Sequence, residues 1–288
     1  LWENIVRMLL LILLAGVPVY VLLIAYVYVF QARLIFFPNV PARTLATTPS
    51  QIGLRFEEVR ITTADRVDLH GWYVPAPARA PAVLLCHGNA GNISHRLDWL
   101  ETFCGLGFAV LLFDYRGFGQ SSGTPTEPGT YLDAQAAWDY LTNSKGFSPK
   151  CIVIVGESLG GPIAAHLAKD VAPGALILVS TFTSVPDLAR TLYRYLPVRL
   201  LARFQYPTAT YVARVHGPTL VVHSRDDEMI PFMHGEELRR RASGPAQLLE
   251  IFGDHNATFM LSRPKLTEGL RSFLEAHGIL QASGALVR

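Results

Sequence analysis

From Met8 to Phe30 the chain reads MLLLILLAGVPVYVLLIAYVYVF, without a charged residue. Roughly 20 apolar residues cross the hydrocarbon core of a bilayer, so this run predicts a spanning helix. Tyr26 and Tyr28 suit the interfacial aromatic belt, and Pro18 predicts a kink that a membrane helix tolerates. A cleaved signal peptide would have a shorter apolar region and a small-residue cleavage site, which Gln31-Ala32-Arg33 does not offer. Residues 1–32 are therefore expected to be a membrane anchor. Arg33 and Arg43 after the span, against Arg7 and the terminal amine before it, lean towards a cytoplasmic catalytic domain.

Residues 33–53 carry Pro38, Pro41 and Pro49 among threonines and read as an extended linker. Beyond it, short β-branched runs alternate with amphipathic stretches. That alternation predicts an α/β fold with a mostly parallel sheet covered on both faces, over residues 54–288. Phe56–Thr62 and Val67–Val74 form the expected antiparallel opening pair. Further strands are expected at Ala82–Cys86, Ala109–Phe113, Cys151–Val155, Ala175–Val179, Thr219–His223 and Leu248–Phe252. Helices are expected near Arg96–Cys104, Tyr131–Leu141, Leu159–Lys169 and Pro264–Glu275. The alternation breaks between about 182 and 215, where an insertion would cover the strand ends as a cap.

Composition narrows the chemistry. With 288 residues, half of them hydrophobic, and a formal net charge of +2, the chain offers no phosphate-tracking surface, so nucleic acid is not an expected partner. The three cysteines, Cys86, Cys104 and Cys151, are scattered and form neither a disulfide framework nor a metal motif.

Gly156-Glu157-Ser158-Leu159-Gly160 matches G-x-S-x-G, a pattern expected by chance about 0.1 times in a chain of this length. The context is what raises it. CIVIV before it reads as a buried strand and PIAAHLAKD after it as a helix, the sharp strand-to-helix turn on which a nucleophilic serine stands. A serine hydroxyl needs a base, and the base an orienting acid, in the chain order serine, acid, histidine. The acid is expected after the Thr219–His223 strand, within Ser224-Arg225-Asp226-Asp227-Glu228. Asp227 is the first choice, then Asp226, then Glu228. A metal site from His223, Asp226, Asp227 and His234 matches no common ligand spacing. Of the nine histidines, His255 alone follows both serine and acid in a turn just past a strand end. Asp254 beside it is expected to point elsewhere. Backbone donors for a developing oxyanion are expected from Leu159 and, in the loop His87-Gly88-Asn89-Ala90-Gly91-Asn92, from Asn89, with His87 holding the loop.

With these residues in place, the chain resembles the α/β-hydrolase superfamily, and within it the membrane-anchored group that includes alpha/beta hydrolase domain-containing protein thirteen. The resemblance is carried by Leu34-Ile35-Phe36-Phe37-Pro38, by HGNAGNISHR from His87 to Arg96, and by Asp114-Tyr115-Arg116-Gly117-Phe118-Gly119. The turn around Ser158, Asp227 with Ile230-Pro231, and His255-Asn256 complete it. It implies the α/β-hydrolase fold and a triad of Ser158, Asp227 and His255, favouring Asp227 over its neighbours. Glu157 is the point of departure, expected to leave catalysis undisturbed. Relatives numbered seventeen remove palmitoyl groups from proteins, so thioesters join esters as implied substrates.

The expected activity is that of a serine esterase or thioesterase working through an acyl-enzyme, with no cofactor and no metal. Peptidase or acyltransferase chemistry on the same triad is the alternative, and a catalytically silent, membrane-tethered binding module the alternative of another class. The stretch from Phe182 to Val215 carries Arg190, Arg194, Arg199 and Arg203 at roughly helical spacing among leucines and tyrosines. It reads either as an amphipathic cap helix with a solvated face or as a basic helix on a phospholipid surface. The second reading points to lipid or acylated-protein substrates.

Overall fold

The computed structural model describes residues 2–193 and 195–281; Leu1, Arg194 and the final stretch 282–288 of the expected hydrolase domain lie outside the described residues. The apolar run forms α1 (Trp2–Ile35), the one helix among the described residues long and apolar enough to cross a membrane. Its backbone departs from helical geometry at Phe30 (φ −100°, ψ 18°) rather than at Pro18, which sits inside the helix. The expected kink is therefore displaced to the end of the apolar run.

The strands and helices then follow in alternation. In chain order they are β1 (Glu57–Thr62), β2 (Asp68–Val74), β3 (Ala82–Cys86), α2 (Leu97–Gly105), β4 (Ala109–Phe113), α3 (Glu127–Asp139), β5 (Ile152–Glu157), α4 (Gly160–Val171) and β6 (Ala175–Val179). The cap follows as three short helices, α5 (Val185–Leu192), α6 (Val198–Leu201) and α7 (Thr208–Val212). β7 (Thr219–Ser224), α8 (Met233–Arg241), β8 (Ala246–Ile251) and α9 (Thr258–Ala276) close the domain.

The eight strands form one sheet in the order β1-β2-β4-β3-β5-β6-β7-β8. β1 pairs antiparallel with β2, and β2 with β4; every later pairing is parallel. The central strands AVLLC, AVLLF and ALILV are buried at every residue, as a sheet covered on both faces requires. Leu84, Leu111, Ile154 and Leu178 pack on one face with Ala164 and Ala134. Val83, Val110, Val155 and Ile177 pack on the other with Phe103 and Phe273.

Several elements depart from the pattern. α3 starts four residues early, because Thr126 accepts the Gly129 N–H at 3.1 Å as an N-cap and Pro128 occupies the first turn. α8 was not anticipated: MHGEELRRR buries only His234, Gly235 and Leu238, too few for an apolar stripe. α9 begins at Thr258 and carries Pro264 inside it. Its second turn is held just past the end of β8 by Ser262, whose Oγ accepts the Phe252 N–H at 2.8 Å and donates to the Phe252 carbonyl at 2.7 Å. The single basic helix considered for the cap does not form. Pro197 and Pro207 lack the N–H that helix continuation needs and divide the segment.

The segment after α1 is not the extended linker expected: it turns just beyond Phe37 and ends in a short 3₁₀ helix (Pro49–Ile52), and it is fastened to the domain. Phe36 is buried, the Phe37 N–H donates to the Asn89 carbonyl at 2.9 Å, and Arg43 donates to the carbonyls of Gly119 and Ser121 at 2.9 Å each. Asn92 Nδ2 reaches the carbonyls of Ala42, Arg43 and Thr44 at 3.0 to 3.2 Å.

Candidate active site

The turn between β5 and α4 brings strand and helix unusually close. A Cβ on Gly160 would stand 2.0 Å from the Cys86 carbonyl oxygen, and one on Gly156 2.4 Å from the Gly160 oxygen. Ser158, between them, has φ +50°, a left-handed conformation that costs a non-glycine residue about 1–3 kcal/mol. Three hydrogen bonds fix it there. Its N–H donates to the Val179 carbonyl at 2.9 Å, and its carbonyl accepts the Gly161 N–H at 3.0 Å and Thr181 Oγ1 at 2.6 Å. The side chain is left pointing off the sheet.

Two loops at the same end of the sheet meet it. His255, between β8 and α9, places Nε2 3.2 Å from Ser158 Oγ. Its Nδ1 lies 2.8 Å from Oδ2 of Asp227, in the loop after β7. The other Asp227 oxygen accepts the N–H groups of Ile230 at 2.7 Å and Met229 at 3.1 Å, and the carboxylate is wholly buried. The neighbouring acids have different tasks. Asp226 accepts the Gly253 N–H at 3.3 Å, and Glu228 the His255 N–H at 3.0 Å, so both hold the histidine loop by its backbone. Asp254 turns away and accepts the N–H groups of Asn256 and Ala257 at 3.0 and 2.8 Å. The geometry thus brings Ser158, His255 and Asp227 into one chain of contacts.

Burial opposes a positive charge on His255, but the hydrogen bond and charge of Asp227, with Glu157 and Glu228 nearby, outweigh it and raise its pKa above 6.5. Glu157, expected to leave the chemistry untouched, is therefore part of its electrostatics; its carboxylate lies 3.2 Å from Arg96 Nε. His223 donates from Nε2 to the Ile230 carbonyl at 2.8 Å, and His234 Nδ1 pairs with the Thr183 hydroxyl at 2.9 Å. Both histidines weighed as metal ligands thus have protein partners, and burial lowers the pKa of each.

The loop after β3 lies beside Ser158. Its Asn89 gives its carbonyl to the Phe37 N–H and its side-chain amide to the Ile35 carbonyl, at 2.9 and 3.1 Å. The backbone N–H groups of Asn89 and Leu159 take no protein partner among the described residues. His87 Nδ1 lies 2.7 Å from the Gly88 carbonyl, and its Nε2 is 3.5 Å from the buried Asp114, which also accepts the Ile93 N–H at 3.0 Å. That network pins the loop at both ends.

Ser158 and His255 open onto a cavity of about 320 Å³. Its wall is mostly apolar and comes from three places: the sheet-end loops, the cap (Leu188, Leu192, Leu196, Leu201) and α1 itself (Val27, Gln31, Leu34). The contribution of α1 was not anticipated. The sequence did carry one signal for it, a glutamine closing an otherwise apolar run.

A mostly parallel sheet, a strained serine between strand and helix, and a histidine–carboxylate pair delivered by the loops after β7 and β8 define an α/β-hydrolase. The alpha/beta hydrolase fold family matches residues 81–201. The Mycobacterium tuberculosis protein Rv2307c is 36% identical over 260 residues, covering 89% of this chain and 92% of its own. The alpha/beta hydrolase domain-containing protein WAV2 of Arabidopsis thaliana is 32% identical over 240 residues, covering 76% and 78%. The lysophosphatidylserine lipase ABHD12 of Macaca fascicularis is 32% identical over 234 residues, covering 70% of this chain and 58% of its own. Among solved structures, the Pyrococcus furiosus esterase Pf2001 superposes with a TM-score of 0.69 at 20% identity, covering 81% of this chain and 94% of the esterase. The chain belongs to the alpha/beta hydrolase superfamily, in the group of alpha/beta hydrolase domain-containing proteins.

Proposed function

We propose that the protein is a serine hydrolase, anchored by α1, that cleaves carboxylic esters or thioesters through an acyl-enzyme on Ser158. The observation that carries this reading is the line of contacts from Ser158 Oγ through His255 to Asp227 at the foot of an apolar cavity. Ser158 Oγ adds to the acyl carbon while His255 Nε2 takes its proton. The N–H groups of Leu159 and Asn89 receive the oxygen that becomes negative, a contribution on the order of 3 kcal/mol per donor in such sites. As the carbon–oxygen or carbon–sulfur bond breaks, Nε2 returns the proton to the leaving group. Water then adds to the acyl-enzyme, its proton passing to Nε2 and on to Ser158, and the carboxylic acid departs. Asp227 keeps Nδ1 protonated and stabilises the imidazolium throughout.

The relatedness to a lysophosphatidylserine lipase supports an ester substrate of lipid character. The length and apolarity of α1 support a single-pass anchor, and Arg33 and Arg43 favour a cytoplasmic domain. A fluorophosphonate probe tests the nucleophile on the full-length protein. Labelling of the wild type that is lost in Ser158→Ala is expected. A wild type that never labels would favour a silent binding module, and labelling that survives the substitution would move the nucleophile elsewhere.

A further inference from the structure

The cap touches α1 at three heights. Tyr20 donates its hydroxyl to the Tyr195 carbonyl at 2.7 Å. The Arg203 guanidinium reaches the Tyr28 carbonyl at 3.5 Å and lies 5.5 Å from the centre of the Tyr28 ring. Gln31 donates from Nε2 to the Leu201 carbonyl at 2.6 Å, and its Oε1 accepts the Arg203 N–H at 2.8 Å. The cap segment from 195 to 203, α6 included, therefore runs along α1, with Tyr195 at the end nearer the middle of α1.

Those heights place it relative to a bilayer. Glu3 and Arg7 mark the far end of the span, and about 20 residues fill the hydrocarbon core, so a core that starts at Met8 ends near Val27. Tyr20 then lies about 10 Å inside that boundary, at 1.5 Å of rise per residue. A core that ended before Tyr20 would leave only residues 8–19 to span it, too few, or would bury Glu3 and Arg7. The tip of the cap suits that depth. Tyr195 is 81% exposed and Leu200 86%, with Leu192 and Tyr193 also exposed. Arg203, at the level of Tyr28, keeps its charge where the aromatic belt begins.

The cavity joins this surface to the serine. Val27 and Leu34 form its wall on the α1 side, Leu192 and Leu196 on the cap side, and Ser158 and His255 its foot. At about 320 Å³ it falls within the roughly 300–1,000 Å³ that ligand pockets occupy. We infer that Leu192, Tyr195 and Leu200 of the cap make a second bilayer contact beside α1, with Arg199 turned to the polar groove of Thr183, Asp187 and Gln205, and that the cavity opens there to admit an acyl chain of a membrane-resident amphiphile sideways from the lipid. This rests on the serine-hydrolase reading and on α1 as the anchor. It adds the route and the class of substrate: acyl esters or thioesters held in a bilayer, with the carbonyl brought up to Ser158 and the polar head left at the interface.

Two measurements test it on the full-length protein in phosphatidylcholine vesicles. In the first, the phosphatidylcholine carries a diazirine in its acyl chain, and photolabelled peptides are mapped. Labels on residues 192–201 as well as on α1 are expected; labels confined to α1 overturn the embedded cap. The second compares wild type with Tyr195→Asp and Leu200→Asp, neither of which lines the cavity. Hydrolysis of a long-chain monoacyl ester in vesicles should fall at least tenfold, while a short soluble acetate ester and fluorophosphonate labelling are unchanged. Equal rates in wild type and variants on the vesicle substrate overturn the lateral route and leave the hydrolase reading intact. Failure of the wild type to label at Ser158 would instead sink the hydrolase reading, and the photolabelling would still decide the bilayer contact.

Discussion

Asp227 holds Nδ1 of His255 at 2.8 Å with one carboxylate oxygen while the other is tied down by two backbone N–H groups. The acid therefore cannot swing away, and the imidazole presents Nε2 to Ser158 in a fixed direction. Asp227→Asn keeps the shape and removes the charge. A loss on the order of 10⁴ in kcat is expected, the scale seen when a triad acid becomes an amide. The pH dependence carries a sign. His255 must be neutral to act as a base, and its raised pKa places the acid limb of kcat/KM above pH 6.5 in the wild type. Asp227→Asn should move that limb to lower pH. A profile measured with a soluble ester that keeps its midpoint, or a loss below tenfold, would count against Asp227 as the orienting acid.

Glu157 acts on the same histidine without touching it. Its negative charge helps to raise the His255 pKa, while Arg96 holds the carboxylate in place at 3.2 Å. Glu157→Gln should therefore shift the acid limb in the same direction as Asp227→Asn, but by less. The rate above the limb should change by less than about threefold, or about 0.7 kcal/mol in the barrier. A shift as large as that of Asp227→Asn would mean that Glu157 weighs as much as Asp227 in the field at the imidazole, against the expectation.

Gly160 has no room for a methyl group. The nearest atoms are the Cys86 oxygen at 2.0 Å, its carbon at 2.6 Å and the His87 oxygen at 2.8 Å, all backbone that cannot rotate aside. Gly160→Ala must push the end of β3 away from the elbow, and with it the loop that carries Asn89. Overpacking of this kind costs about 1–3 kcal/mol or more, so a lower Tm is expected together with loss of Ser158 labelling. Gly105, at the end of α2 with nothing within 4 Å of a built Cβ, is the control. Gly105→Ala should leave both unchanged, and equal behaviour of the two variants would contradict the close approach.

The depth to which the sequence could be read follows from where each signal resides. β3, β4 and β6 match their expected limits because AVLLC, AVLLF and ALILV are apolar runs bounded by turns, a local signal. Ser158 and the order of acid and histidine are local too, and the structure brings those three side chains together. The choice among Asp226, Asp227 and Glu228 is not local. All three accept hydrogen bonds within a few ångströms of one another, and only the fold decides which one faces the imidazole. α8 escaped because its buried face is one leucine flanked by His234 and Gly235. The divided cap reflects Pro197 and Pro207 winning over an arginine spacing that fitted one helix. The share of α1 in the cavity showed only as Gln31 closing an apolar run, since hydropathy reports that a helix suits lipid and says nothing about which residues meet the cap.

Gln31 is where that last relationship can be broken. It is buried at the end of the apolar run, and its amide makes two hydrogen bonds to the cap backbone, one in each sense. A glutamine here would be costly beside lipid; paired with the Leu201 carbonyl and the Arg203 N–H, it fastens the cap to the helix. Gln31→Ala leaves both backbone groups without partners in a place with little water, a penalty of about 1–3 kcal/mol for each group that stays buried. The cap can escape that penalty by parting from α1 so that water reaches residues 201–203. Tryptic cleavage after Arg199 and Arg203 should then speed up in vesicles, and hydrolysis of a vesicle-borne ester should fall by about tenfold, equivalent to ~1.4 kcal/mol. Gln31→Glu separates packing from pairing. It keeps the acceptor for the Arg203 N–H but has no donor for the Leu201 carbonyl, so its cleavage rate should lie between those of wild type and Gln31→Ala. Cleavage at the wild-type rate in both variants would show that the cap stays on α1 without this contact, and that other contacts along the helix, those of Tyr20 and Tyr28, suffice to hold it.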